Sequence, residues 1–117
     1  MTNASEQLNR ALELHQTGRL SEAEQLYRSI LQANPSHAKA WQFLGVLSGQ
    51  CGRHDLACEY LGRAAALDPR DGICHCNLGH AYRSLGRFDE AAASYRQAIC
   101  ILPAHGTAYF DLAVTLQ

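Results

Sequence analysis

Apolar residues return along this chain at intervals of three and four. Trp41, Leu44, Gly45 and Ser48 share one helical face, as do His75, Leu78, Gly79 and Tyr82, which predicts a first helix of about 13 residues in each case. A second pattern follows each first helix, carried by Ala23, Leu26, Tyr27 and Ile30, then Ala57, Tyr60, Leu61 and Ala64, then Ala91, Ser94, Tyr95 and Ala98. Between the two patterns stand "TGRLSEA", "CGRHDLA" and "LGRFDEA", whose glycines Gly18, Gly52 and Gly86 recur every 34 residues. Glycine just past the last periodic residue can take the left-handed conformation that ends a helix. Ser21, Asp55 and Asp89 then offer oxygens for the opening turn of the next helix, with Ser21 and Glu24 at capping-box spacing. Pro35, Pro69 and Pro103 keep the same period and stop each second helix, because proline lacks an amide donor and restricts its predecessor.

A fixed spacing held by glycine, proline, alanine and acidic residues together marks one supersecondary unit copied in series. The expected architecture is all-α, a row of antiparallel helix pairs of about seven helices, with units at 4–37, 38–71 and 72–105 and a last segment at 106–117. Small residues at matched positions let paired helices approach, and larger ones such as Tyr27 and Tyr95 fill the space beside them.

The motif Trp-x-x-Leu-Gly-x-x-Tyr, then Ala-x-x-x-aromatic, then Pro, resembles the tetratricopeptide repeat. The third copy, "HCNLGHAYRSLGRFDEAAASYRQAICILP", departs only where His75 replaces the tryptophan. The second keeps Trp41 but has Ser48 and Leu61 for two aromatics, and the first has Gln7, Arg10, Ala11 and Leu14 along its opening helix. The resemblance implies a right-handed superhelix whose first helices line an inner face where protein partners bind.

The last segment, "GTAYFDLAVTLQ", reads as one more first helix. Tyr109, Leu112, Ala113 and Leu116 repeat the core-facing spacing and are expected to pack on the third pair, while Phe110 and Val114 leave another side apolar. Such an end suits contact with more protein, through a continuing chain or through self-association of the C-terminal helix into a homo-oligomer.

Composition narrows the classes of partner. Apolar residues make up 47% of the 117 residues, enough for a real core. Ten basic side chains face eleven acidic ones, so the net charge of −1 gives no basic stripe for phosphates and argues against nucleic acid. No segment approaches the roughly 20 apolar residues of a membrane span, and the amino terminus does not read as a secretion signal. Five cysteines, an odd count placed mostly within helices, suit reduced thiols and a cytoplasmic setting.

Going around from the core face, the helical period places Ser5, Leu8, Leu12 and His15, then Lys39, Gln42, Val46 and Gly49, then Ile73, Cys76, His80 and Arg83 on the inner lining. Beside them lie Asn9, Phe43, Asn77 and Asp111. The expected peptide-binding set is Lys39, Gln42, Phe43, Val46, Ile73, Asn77, His80 and Arg83: apolar contact from Phe43, Val46 and Ile73, orientation from the rest. Asn77 resembles a member of the asparagine ladder of O-linked N-acetylglucosamine transferases, which Phe43 interrupts here. Chaperone-binding members of the family hold a C-terminal carboxylate with several cationic and amide side chains; Lys39, Asn77 and Arg83 are candidates, but Leu8 and Leu12 occupy places where that clamp needs polar groups. The resemblance also allows a second role, as the substrate-recognition segment of a larger enzyme such as a glycosyltransferase.

Chemistry beyond binding finds little support in the spacing. Cys74, His75 and Cys76 are successive helical residues about 100° apart, which diverge, and the Gly52 corner separates Cys51 from His54 and Cys58. Neither a metal nor a cofactor is implied. Cys76 and His80 share a helix face four residues apart, yet no phosphate loop or paired catalytic carboxylates accompany them, so no active site is expected.

Overall fold

The computed structural model describes residues 3–104 and 106–116. Met1 and Thr2 of the amino terminus, His105 at the expected end of the third unit and Gln117 at the end of the last segment lie outside the described residues. Seven helices follow one another among the described residues, with no strand: α1 (Ala4–Gln16), α2 (Leu20–Ala33), α3 (Ala38–Gln50), α4 (His54–Leu67), α5 (Gly72–Ser84), α6 (Phe88–Ile101) and α7 (Gly106–Thr115). Each helix packs on the one before it and the one after it, and α3 also touches α5. The chain is therefore an all-α solenoid, drawn out to 49 Å along its long axis.

The glycine stops work as the sequence suggests. Gly18, Gly52 and Gly86 take φ of 82°, 80° and 74°, where a Cβ would be strained. The Gly18 amide donates to the His15 carbonyl at 3.2 Å and the Arg19 amide to that of Leu14 at 2.8 Å, the Schellman pairing that satisfies a helix's last carbonyls. The same two bonds close α3 and α5. The capping box expected of Ser21 and Glu24 needs correction. The second helices begin at Leu20, His54 and Phe88, with Arg19, Arg53 and Arg87 at the capping positions and no side-chain cap. Ser21, Asp55 and Asp89 thus sit inside the first turn, where the two carboxylates act on the helix dipole. Glu24 does not close a capping box; it pairs with Arg28 at 3.1 Å and Arg53 at 3.6 Å.

Side-chain caps occur instead on the first helices. Asn3 Oδ1 accepts from the Glu6 amide at 2.8 Å, His37 Nδ1 from Ala40 at 3.2 Å and Asp71 Oδ1 from Cys74 at 3.1 Å. After the first two second helices the proline carbonyl gains a further use. Trp41 Nε1 donates to the Pro35 carbonyl at 2.8 Å, and His75 Nε2 meets that of Pro69 at 2.9 Å. A carbonyl only accepts, so Nε2 carries the His75 proton, and this ring reproduces the tryptophan's bond.

The core runs as three linked clusters. The first joins α1, α2 and α3 through Ala11, Leu14, Tyr27, Ile30 and Leu44; the second joins α4 and α5 through Ala57, Leu61, Cys74 and Leu78; the third joins α5, α6 and α7 through Cys76, Tyr95, Ala98 and Ala108. Trp41 is half-buried and packs against both the first and second clusters. Close approach within a pair depends on glycine: a Cβ at Gly45 would stand 2.7 Å from Leu61 Cγ, and one at Gly79 2.6 Å from Tyr95 Cε1.

The last helix corrects a second expectation. It docks through buried Ala108 and Asp111, with Leu112 partly covered, while Tyr109, Ala113 and Leu116 are exposed. Ala108 matches Ala40 and Cys74, the buried positions by which α3 and α5 meet the preceding unit. Tyr109, Ala113 and Leu116 match positions that α3 and α5 turn toward their own second helix. Among the described residues no helix covers that face of α7.

Candidate functional site

Two hollows lie along the first helices. One, of about 240 Å³, is floored by Gly45, Val46, Ala57 and Leu61 and rimmed by Gln50, His54, Asn77, His80 and Ser84. The other, of about 410 Å³, lies between Leu12, His15 and Gln16 of α1 and Phe43, Val46 and Gln50 of α3. Sharing Val46 and Gln50, they form one trough across α1, α3 and α5.

Of the expected peptide-binding set, Phe43, Val46, Asn77 and His80 come together in this trough, with Leu12, His15 and Gly49 of the expected lining beside them. Phe43 stacks on the buried Tyr27 ring at 6.3 Å. Among the described residues no side-chain hydrogen bond engages Asn77. Gln42 is a correction: it is 3% exposed, lines neither hollow, and its carbonyl stands 3.5 Å from Lys39 Nζ. Lys39 is held by Asp71 at 2.8 Å, outside both hollows, and Ile73 is exposed without lining either. Burial opposes ionisation of Asp71, but the Lys39 hydrogen bond and the amides of Cys74 and Ile73 outweigh it and hold the carboxyl below its ordinary value. Cys76, placed on the lining by the helical period, is buried instead; burial, with Asp111 nearby, pushes its thiol up.

Two histidines tie successive first helices together. His15 Nε2 lies 2.6 Å from Gln50 Oε1, and its Nδ1 lies 3.0 Å from the Tyr27 hydroxyl. The amide oxygen accepts, so Nε2 donates to it and Nδ1 accepts from the phenol. Burial raises that phenol to about 12. At the other end His80 Nε2 donates to Asp111 Oδ2 at 2.7 Å, and Arg83 Nη1 lies 3.7 Å from Oδ1. The Arg83 guanidinium also covers the Tyr95 ring at 5.9 Å. Both cations offered for an anionic partner, Lys39 and Arg83, thus already have carboxylate neighbours.

Sequence reasoning missed Gln16, Gln50 and Ser84, although they follow one another at the same 34-residue spacing. It also missed His54, which reaches the trough from the start of α4.

Tetratricopeptide-repeat family models match residues 4–47, 38–71 and 73–105. The chain belongs to the tetratricopeptide repeat family. A small glutamine-rich tetratricopeptide repeat-containing protein 2 of Mycosarcoma maydis is 29% identical over 93% of this chain, which spans 30% of that relative. Among solved structures, an O-GlcNAc transferase mutant of Thermobaculum terrenum superposes with a TM-score of 0.91 at 31% identity, over 99% of this chain and 23% of that one. The first tetratricopeptide domain of Spaghetti (RPAP3), solved with an HSP90 peptide, superposes at 0.94 and 18% identity, over 97% of this tetratricopeptide chain and 90% of its own. The repeats are thus of the transferase-like kind, and the chain spans under a third of the relative and the transferase. Among the described residues no helix is long and apolar enough to cross a membrane.

Proposed function

We propose that this tetratricopeptide chain is a protein-interaction module that holds an extended peptide or a partner helix along the trough of α1, α3 and α5. The observation that carries the reading is the continuity of the two hollows through Val46 and Gln50. A floor of Val46, Ala57 and Leu61 gives apolar contact, and polar rim groups at Asn77, Gln50 and His80 fix direction, the division of labour usual in peptide grooves. Asn77 offers a donor and an acceptor to a peptide backbone. Lys39 and Arg83, engaged by Asp71 and Asp111, and the exposed Ile73 line neither hollow and stand away from the centre of this site. The backbone likeness to a domain solved with a bound peptide supports the reading at the level of fold.

Panning a phage-displayed library of unstructured peptides on the immobilised chain tests this. Peptides that bind should lose about tenfold or more in affinity to Asn77→Ala combined with Val46→Asp, while circular dichroism stays unchanged. Equal affinity for the double variant would move the site elsewhere.

Likeness to the transferase repeats favours a second reading, a substrate-recognition segment within a glycosyltransferase. In that case, replacing Asn77 and Val46 in the enzyme changes which proteins are glycosylated and leaves donor-sugar hydrolysis intact. The open face of α7, with Phe110 67% exposed beside Tyr109 and Leu116, favours self-association there. Mass by sedimentation should then rise with concentration, and Phe110→Glu should abolish the rise.

A further inference from the structure

The corner where α7 meets α5 holds three donors of different chemistry. Ligand atoms from Cys76, His80 and Asp111 all lie within 4.8 Å of one another, and they are the one such group among the described residues. Cys76 and Asp111 are 3% and 7% exposed, while the His80 side chain remains 44% exposed. One turn of α5 puts Cys76 and His80 on the same face, and Asp111 comes from α7, 31 residues beyond His80. The matching positions in the second and third units are Phe43 and Asn77, so a buried carboxylate at this place is particular to α7, where His80 and Arg83 face it.

We propose that Cys76, His80 and Asp111 bind one zinc ion, with a fourth coordination position open toward solvent beside His80. Sulfur, imidazole nitrogen and a carboxylate oxygen form a ligand set that zinc accepts in tetrahedral geometry, and three protein ligands with one open place are the usual plan of a non-structural zinc site. The carboxylate is already divided in the required way. Oδ2 faces His80 Nε2 at 2.7 Å, while Oδ1 faces the Arg83 guanidinium at 3.7 Å, so one oxygen serves the ion and the other keeps an outer partner. Metal–ligand distances of about 2.0–2.2 Å require the imidazole and carboxylate to part by under about 1 Å, a shift that the half-exposed His80 ring can supply. Binding replaces the His80–Asp111 hydrogen bond with two coordinate bonds: the Nε2 proton is exchanged through solvent for one on Nδ1, which leaves the imidazole neutral, and the Cys76 thiol proton is released to solvent.

A second observation points to the same corner. The hydroxyl of Tyr95 is wholly buried without a hydrogen-bond partner, and the His80 ring packs on that tyrosine at 5.5 Å. Its counterpart Tyr27 is satisfied by His15, but the residue matching His15 two units on is Arg83, which lies over the ring instead.

The experiment uses the full reduced chain with cobalt(II) and zinc(II) as probes. Cobalt should give a sulfur-to-metal charge-transfer band that saturates at one equivalent and is bleached by zinc. Asp111→Asn, which keeps the shape of the side chain, and His80→Gln should each weaken zinc binding by more than about 100-fold, beyond the roughly 10–100-fold usual for outer partners. Cys76→Ser should remove the band. A variant with Cys51, Cys58 and Cys100 changed to serine should keep it, and should Cys76→Ser fail to fold it narrows the sulfur to Cys74 or Cys76, of which Cys76 is the one grouped with His80 and Asp111. No cobalt–sulfur band in the parent chain, loss of the band in the triple variant, or unchanged zinc affinity in Asp111→Asn would overturn the proposal.

Discussion

Replacing Gly79 by alanine perturbs the closest approach in the third unit. The new Cβ would stand 2.6, 2.8 and 2.8 Å from Cε1, Cδ1 and Cζ of Tyr95, a wholly buried ring that has no flexible end to swing aside. Overpacking of this kind costs about 1–3 kcal/mol, and contact with three atoms of a fixed ring places it near the top of that range. Alanine's better helix propensity returns about 0.8–1.0 kcal/mol. The net loss is about 2 kcal/mol, or roughly 8 °C in Tm at about 4 °C per kcal/mol for a chain of this size. Gly62→Ala is the matched control, because nothing lies within 4 Å of the Cβ it would add in the middle of α4. It should gain up to about 1 kcal/mol. Urea unfolding of the two variants beside the parent measures both effects. A Gly79→Ala chain as stable as the parent would refute the claim that glycine sets the helix spacing.

Trp41→Ala should cost about 2–3 kcal/mol by urea unfolding, below the roughly 3–5 kcal/mol of a fully buried aromatic, and Trp41→His should recover part of it by keeping the bond to the Pro35 carbonyl as His75 does to Pro69. Asp71 is ionised more readily folded than unfolded, so its contribution is present above its unfolded value and lost as pH falls through its lower folded value. Lys39→Met should therefore flatten the acid limb of stability against pH, by no more than about 1 kcal/mol for so exposed a lysine. Thiol titration with a disulfide reagent should find Cys51 and Cys100 reacting first and Cys58 slowly, with Cys74 and Cys76 reacting only on unfolding. Cys51 and Cys100 are exposed, whereas burial pushes the Cys74 thiol up to about 12.

The fold was legible because each repeat must state its own stops. Gly18, Gly52 and Gly86 mark chain reversals that other residues resist, and Pro35, Pro69 and Pro103 mark ends, so local chemistry and period agree. The capping box was misread for a physical reason. A polar residue two places after a corner is favourable in the first turn as well as at the cap, and only the geometry shows which position it takes. The site was legible in part. A stripe drawn on an ideal helix puts Val46 and His80 in the trough correctly, but it assigns Gln42 and Cys76 to the lining because a single helix cannot show where the neighbouring unit lands. The same limit hid the face of α7 and the meeting of Asp111 with Cys76 and His80, for their spacing in sequence carries no signal of contact.

Partners are proposed to occupy the trough of the first helices. Backbone amide NMR of the chain, titrated with a peptide selected on it, measures this directly. Shifts should concentrate at Val46, Gly49, Gln50, Asn77 and His80, on α3 and α5. Shifts confined to the outer surfaces of α2, α4 and α6 would contradict it.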